Sequence, residues 1–128
     1  MLVLAPQMRI WVAVRPVDFR KGIDGLGGVC RQVLGSDPLS GGVFVFRNRR
    51  GTALKLLVYD GQGFWLCQKR LSQGRFHWWP QAAAPGVAVQ GLEARALQLL
   101  LWNGDPQRAA MAPLWRRLEG AEGAAQKG

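Results

Sequence analysis

Arginine and lysine are the residues with chemistry to offer in this sequence. Arg47, Arg49 and Arg50 lie close together; so do Lys69, Arg70 and Arg75; Arg20 and Lys21 are adjacent, and Lys55 stands between the groups. Cations in such clusters neutralise phosphates, and a guanidinium fork can hold two phosphate oxygens at once. Phe76, Trp78 and Trp79 follow the second group, and aromatic rings beside a basic surface can stack on bases or sugars. The plainer reading makes the arginines solvated loop charges and the tryptophans core. For Trp11 and Trp65, inside apolar runs, core is the better reading. In an extended WWP segment at 78–80, neighbours point to opposite sides, so at most one of Trp78 and Trp79 is buried.

Catalytic chemistry has little to work with. A two-metal nuclease centre needs converging carboxylates, and the acids before residue 90 are Asp18, Asp24, Asp37 and Asp60. Asp18 suits a helix N-cap, and Asp37 and Asp60 sit in turn-like segments where aspartate bonds its own backbone. His77 is the sole histidine, which leaves no histidine-rich metal site. Serine and cysteine lack a partner arrangement for nucleophilic attack. GIDGLGG at 22–28 has neither the dinucleotide spacing nor the lysine of a nucleotide-phosphate loop. No catalytic residue, metal or cofactor is expected.

The charge balance points the same way as the arginine clusters. The chain of 128 residues is 48% hydrophobic, an ordinary globular value, yet 17 Lys and Arg face 8 Asp and Glu. The net charge is +9 and the pI about 11.1. A small domain this basic suits a polyanionic partner, with nucleic acid ahead of an anionic membrane surface. Between residues 9 and 80 there are twelve basic and four acidic residues, against five and four afterwards. Cys30 and Cys67 are far apart and lie in apolar runs, which reads as free thiols in a reducing cytoplasm. The opening MLVLAP is too short for a secretory apolar region, and no run reaches membrane-spanning length. A soluble cytoplasmic protein is expected.

The elements that must position these residues can be read in order. Residues 9–15 alternate as a strand, ended by Pro16. Phe19, Ile23, Leu26, Cys30 and Val33 then mark one face of a helix over 19–34, with Asp18 as its N-cap and Gly35 as its C-terminal cap. Glycines 22, 25, 27 and 28 weaken that helix. They suggest either a close approach to the sheet or a helix that properly begins near Ile23. Strands follow at 43–47, 53–60 and 64–71, joined by NRRG and GQG turns. A short edge strand at 87–90 and a helix at 92–102 complete the set. Residues 1–112 are expected to form a single domain, with a marginal helix and a disordered tail over 113–128.

Three blocks of this sequence, VDFRKGIDGL, FVFRNRRG and LVYDGQGFWLCQKRLSQGRFHW, occur in that order and are followed by WP. Together they resemble TnpB, the accessory-protein family encoded by the second open reading frame of insertion sequence 66 transposons of bacteria. The resemblance covers roughly residues 8–103. It implies a small basic protein that serves transposition beside a separate transposase, which would carry the chemistry. It assigns no role to individual residues.

The expected fold is α+β, because strands run consecutively through hairpins. An antiparallel β-meander of three to five strands would carry both helices on one face. In a three-strand meander, the ends of the first and third strands share one end of the sheet. Arg47, Arg49, Arg50, Lys69 and Arg70 then form one positive edge. The expected function is a non-catalytic transposition accessory that binds DNA through Arg20, Lys21, Arg47, Arg49, Arg50, Lys55, Lys69, Arg70, Arg75, Trp78 and Trp79. The alternative is an adaptor for the transposase or the first-frame protein.

Overall fold

A computed structural model describes residues 8–105. The tail expected over 113–128 lies outside the described residues. Seven elements follow in order: β1 (Ile10–Ala13), α1 (Ile23–Gln32), β2 (Val43–Arg47), β3 (Ala53–Tyr59), β4 (Phe64–Arg70), β5 (Val89–Leu92) and α2 (Ala94–Leu101). The fold is α+β, as the order of elements suggests, but the sheet is mixed instead of an antiparallel meander. Its strand order is β4-β3-β2-β1-β5. β1 and β2 pair in parallel, with Ile10 opposite Val43 and Val12 opposite Val45. The physical reason is α1, a crossover that returns the chain to the end where β1 began. β2, β3 and β4 then pair antiparallel through short turns, and β5 pairs antiparallel with the outer side of β1.

The helices do not share a face. Alternate side chains of the central strands enter two separate cores. Val43, Val45, Leu54, Leu56 and Val58 pack with Leu97 and Leu100 of α2. Phe44, Phe46 and Leu57 pack with Leu26 and Cys30 of α1. A sheet covered on both faces requires strands that are apolar on both faces. That is why VFVFR and ALKLLVY show continuous apolar runs. At the edge β4 is only partly covered, and Trp65, expected in the core, is 57% exposed. Its indole N–H instead donates to Asp60 Oδ2 at 2.8 Å.

α1 starts four residues later than an N-cap at Asp18 requires. The N-cap is Gly22, which makes no side-chain capping bond. Asp18 Oδ1 accepts from the Arg20 amide at 2.9 Å, closing a local turn. The helix glycines do not serve a close approach to the sheet. A Cβ at Gly28 would meet nothing within 4 Å, and one at Gly25 would press only on the Lys21 side chain. A tighter approach occurs just before β2, where a Cβ on Gly42 would lie 3.3 Å from the Arg9 carbonyl oxygen. No helix among the described residues is long and apolar enough to cross a membrane.

A candidate nucleic-acid interface

The cations of this chain gather where the topology sends them. Parallel β1 and β2 finish at the same end of the sheet, β3 begins there, and β4 finishes there. The register sets Arg47 opposite Leu54, and Leu54 opposite Lys69, so the row from β2 to β4 spans about 10 Å. The connections at this end carry Arg15, Arg20, Lys21, Arg49, Arg50 and Arg75, Arg70 ends β4 there, and the acids against them are Asp18 and Asp24. The other end is balanced, with Arg9, Arg31 and Arg95 near Asp37, Asp60 and Glu93.

Three local devices fix this end. The β2–β3 turn is closed by Asn48, whose Oδ1 accepts from the amides of Thr52 at 2.9 Å and Ala53 at 3.2 Å. Its Nδ2 donates to Thr52 Oγ1, and Gly51 supplies the left-handed residue at φ 72°. This lifts Arg49 and Arg50 into solvent. The loop after β1 is held by the Val17 amide, which donates to the Arg47 carbonyl at 2.9 Å. The segment after β4 folds back on the turn, with the Leu71 amide on Thr52 O and the Phe76 amide on Gly51 O. A cleft lined by Pro16, Val17, Asp18, Phe19, Asn48, Arg49 and Arg50 separates the two basic loops.

The expected site residues take different parts in this arrangement. Lys21, Arg49, Arg50, Arg70 and Arg75 are exposed, and none has an ion pair among the described residues. Arg20 is exposed but engaged. Its guanidinium forks onto Asp18, with Nε 3.0 Å and Nη2 2.7 Å from Oδ2. The side-chain bonds from Arg20 hold the Asp18 carboxyl down to about 2, and the same pair raises the Arg20 pKa. Lys69 donates to the carbonyl of Leu101 and sits 5.9 Å from the Trp102 ring centroid.

Arg47 is half-buried. Its Nη2 donates to Val14 O at 3.0 Å, and its guanidinium lies 5.3 Å from the Trp79 ring centroid. Burial pushes its pKa down, and its Nε has no hydrogen-bond partner among the described residues.

Two of the expected contacts belong to the interior. Lys55 is only 7% exposed, and its ammonium donates to the carbonyls of Phe19 and Lys21. It points into the α1 face, away from solvent, and fastens the basic loop to β3. Trp79 is 6% exposed, with its indole N–H on Ala13 O at 2.9 Å. It is core, while its neighbour Trp78 is half-buried. Only one of the pair is buried, as expected, but both rings pack against the same core, that of α2, and do not point to opposite sides of the sheet.

Two residues escaped sequence reasoning. Arg15 reaches the basic end only because β1 and β2 are parallel, a nonlocal fact. Trp102, at the end of α2, is 82% exposed beside Lys69. An indole placed immediately after a helical run was the available signal.

The aspartates do not converge. Asp37 accepts from the Leu39 amide and Asp60 from the amides of Gln62 and Gly63, each closing its own turn. Among the described residues no group of three or more His, Cys, Asp or Glu is placed to hold a metal ion.

Comparison with known proteins agrees with the three sequence blocks. No solved structure matches the chain. It is 42% identical over 89 residues to the uncharacterized protein y4hO of Sinorhizobium fredii, covering 70% of this chain and 76% of the relative. It is 44% identical over 69 residues to the uncharacterized protein y4jC of the same organism, covering 54% of this chain and 59% of that relative. The family of IS66 Orf2-like proteins, TnpB, matches residues 8–111, which include the whole sheet, both helices and every cation of the basic end. The chain belongs to the IS66 Orf2-like family, whose place is an accessory one in transposition.

Proposed function

We propose that this protein is a non-catalytic accessory of transposition that binds DNA through the backbone phosphates, using the basic end of its sheet. The observation that carries the reading is the convergence at one end of the sheet of Lys21, Arg49, Arg50 and Arg75 on three connections and of Arg70 at the end of β4, all exposed and without an ion pair among the described residues. The loops are supported from behind by the buried Lys55 and the half-buried Asn48 and Arg47. Loops held this firmly present charge with little backbone ordering left to do on binding. Contacts of this kind grip the backbone and read little sequence.

Fluorescence anisotropy with labelled DNA at several salt concentrations tests it. Affinity is expected to fall linearly in log–log form, by about 0.9 in slope for each phosphate neutralised. Arg49→Ala and Arg50→Ala are each expected to flatten that slope by about 1 and to weaken all sequences alike. Absence of binding at low salt overturns the reading.

One observation favours an adaptor as the second reading. The opposite end of the molecule exposes Val33, Leu39 and Trp65 at 58%, 54% and 57%. Apolar anchors away from the cations suit a protein partner such as the transposase or the first-frame protein. A complex formed without DNA and lost on Trp65→Ala supports it, and both readings can hold together.

A further inference from the structure

Trp102 is the most exposed large apolar side chain of the described residues, at 82%. It is nevertheless held firmly. Its amide donates to the carbonyls of Gln98 and Leu99, and α2 closes behind it in a Schellman motif. In that motif the Gly104 amide donates to Leu99 O at 2.7 Å and the Asn103 amide to Leu100 O at 2.9 Å. The left-handed position belongs to Asn103, at φ 62°. Asparagine has a use there that glycine lacks. Its Oδ1 accepts from the His77 amide at 2.8 Å, and its Nδ2 donates to the Arg75 carbonyl at 3.2 Å. The backbone that carries the indole is thus tied to the Arg75–His77 segment. Lys69 lies 5.9 Å from the ring, bonded to Leu101 O, and the Arg75 backbone is stapled to the next residue.

Resting on the DNA-binding reading above, we propose that Trp102 is a stacking platform for an unpaired nucleobase, so that the basic end takes single-stranded or locally opened DNA in preference to intact duplex. An exposed ring beside Lys69, on a helix end tied to the segment that carries the exposed Arg75, is matched by a partner that is anionic and flat at once. A nucleotide strand is both, with phosphates for the cations and a base for the indole. The core of a protein–protein contact, by contrast, is depleted of charge. Duplex DNA keeps its bases stacked inside and can offer this end only its phosphates. The indole can meet a base only where pairing is broken.

The test compares three 12-nucleotide probes at one salt concentration: oligo-dT, an abasic strand with the same phosphates, and duplex. The wild-type protein is expected to bind oligo-dT more tightly than either of the others. Trp102→Ala is expected to weaken oligo-dT about 5- to 100-fold, the range for loss of one stacked base, with duplex binding and the salt slope unchanged. Trp102→Phe should recover part of the loss. Equal binding of oligo-dT and abasic strand by the wild-type protein overturns the proposal, and needs no variant to fold. Equal weakening of all three probes by Trp102→Ala also overturns it, because the residue then acts on the phosphates or the fold. Either result leaves the phosphate-binding reading standing. Failure of every probe at low salt removes both. A Trp102→Ala variant that loses a transposase complex but no DNA affinity makes the indole a protein anchor and overturns the proposal as well.

Discussion

The Lys55 ammonium lies 2.9 Å from the carbonyl oxygen of Phe19, tying the middle of β3 to the loop that carries Arg20 and Lys21. The same ammonium reaches Lys21 O at 3.0 Å and sits 4.8 Å from the Phe19 ring centroid. A buried lysine without partners would cost several kcal/mol. Here two carbonyls and a ring face replace water. Lys55→Met keeps the stem and removes the donors, leaving both carbonyls unanswered. It is expected to lower stability by about 1–3 kcal/mol in urea unfolding, with an unchanged m value. The surviving folded protein should keep the wild-type salt slope for DNA. A flattened slope would mean that Lys55 meets phosphate after all.

The Asp18–Arg20 pair makes a second prediction. Asp18 supplies Arg20 with an internal carboxylate in the geometry a phosphate would use. Asp18→Asn frees the fork and removes a negative charge from the basic end, so DNA affinity is expected to rise at neutral pH. The pH dependence follows from the direction of the shift. The Asp18 pKa is lower folded, at about 2, than its ordinary value near 3.8. The pair's contribution to stability is therefore present above the ordinary value and is lost as pH falls towards 2. Because the pair is exposed, that contribution is small. Carboxyl chemical shifts should titrate near 2 in the wild type and higher in Arg20→Ala, which loses the guanidinium bonds but keeps the residue-20 amide that also holds the carboxyl down. A wild-type midpoint near 3.9 would show that the pair does not persist in solution.

Gly28 offers a gain of stability. It lies inside α1, where glycine is less favourable than alanine by up to about 1 kcal/mol. A Cβ there would meet nothing within 4 Å. Gly28→Ala is expected to raise the urea midpoint by an amount equal to about 0.5–1 kcal/mol, without touching DNA binding. Gly25→Ala should gain less, since its Cβ would come within 2.9 Å of Lys21 Cβ. Equal gains would mean that the Lys21 side chain moves aside freely.

What the sequence made legible is mostly local. β2, β3 and β4 could be placed almost residue for residue, because apolar runs and glycine turns mark them within a few positions. The shared end of Arg47 and Lys69 followed from that pairing alone. The parallel pairing of β1 and β2 was not legible, since two short segments separated by a helix carry no local mark of their partner. The placement of the helices on opposite faces depends on it. The two-sided apolar character of VFVFR was a signal for a doubly covered sheet, and it outweighs the hairpin reading of the fold. Lys55 was misplaced for a related reason. As a charge it joins the basic cluster, yet a lone lysine at an inward position between Leu54 and Leu56 in a buried strand needs internal acceptors. Trp65 is exposed instead of core because burial of an edge-strand residue depends on what covers that edge.

Arg47 and Trp79 provide the last prediction, because they separate structural arginines from binding ones. Arg47 packs its guanidinium against the buried Trp79 ring and donates to Val14 O, closing β2 onto the end of β1. Arg49, two residues on, stands in solvent with no ion pair among the described residues. Arg47→Ala removes a cation–π contact, a hydrogen bond to a partly buried carbonyl and the stem that covers the indole. It is expected to cost about 1–3 kcal/mol of stability. Arg47→Lys should not restore it, because an ammonium cannot both lie flat on the ring and reach Val14 O. Arg49→Ala is expected to stay within about 0.5 kcal/mol of wild type. The DNA readout should run the other way, with Arg49→Ala flattening the salt slope and Arg47→Ala leaving it near the wild-type value where the protein is folded. Equal urea midpoints for the two variants would place Arg47 with the free surface cations and remove the division of labour between them.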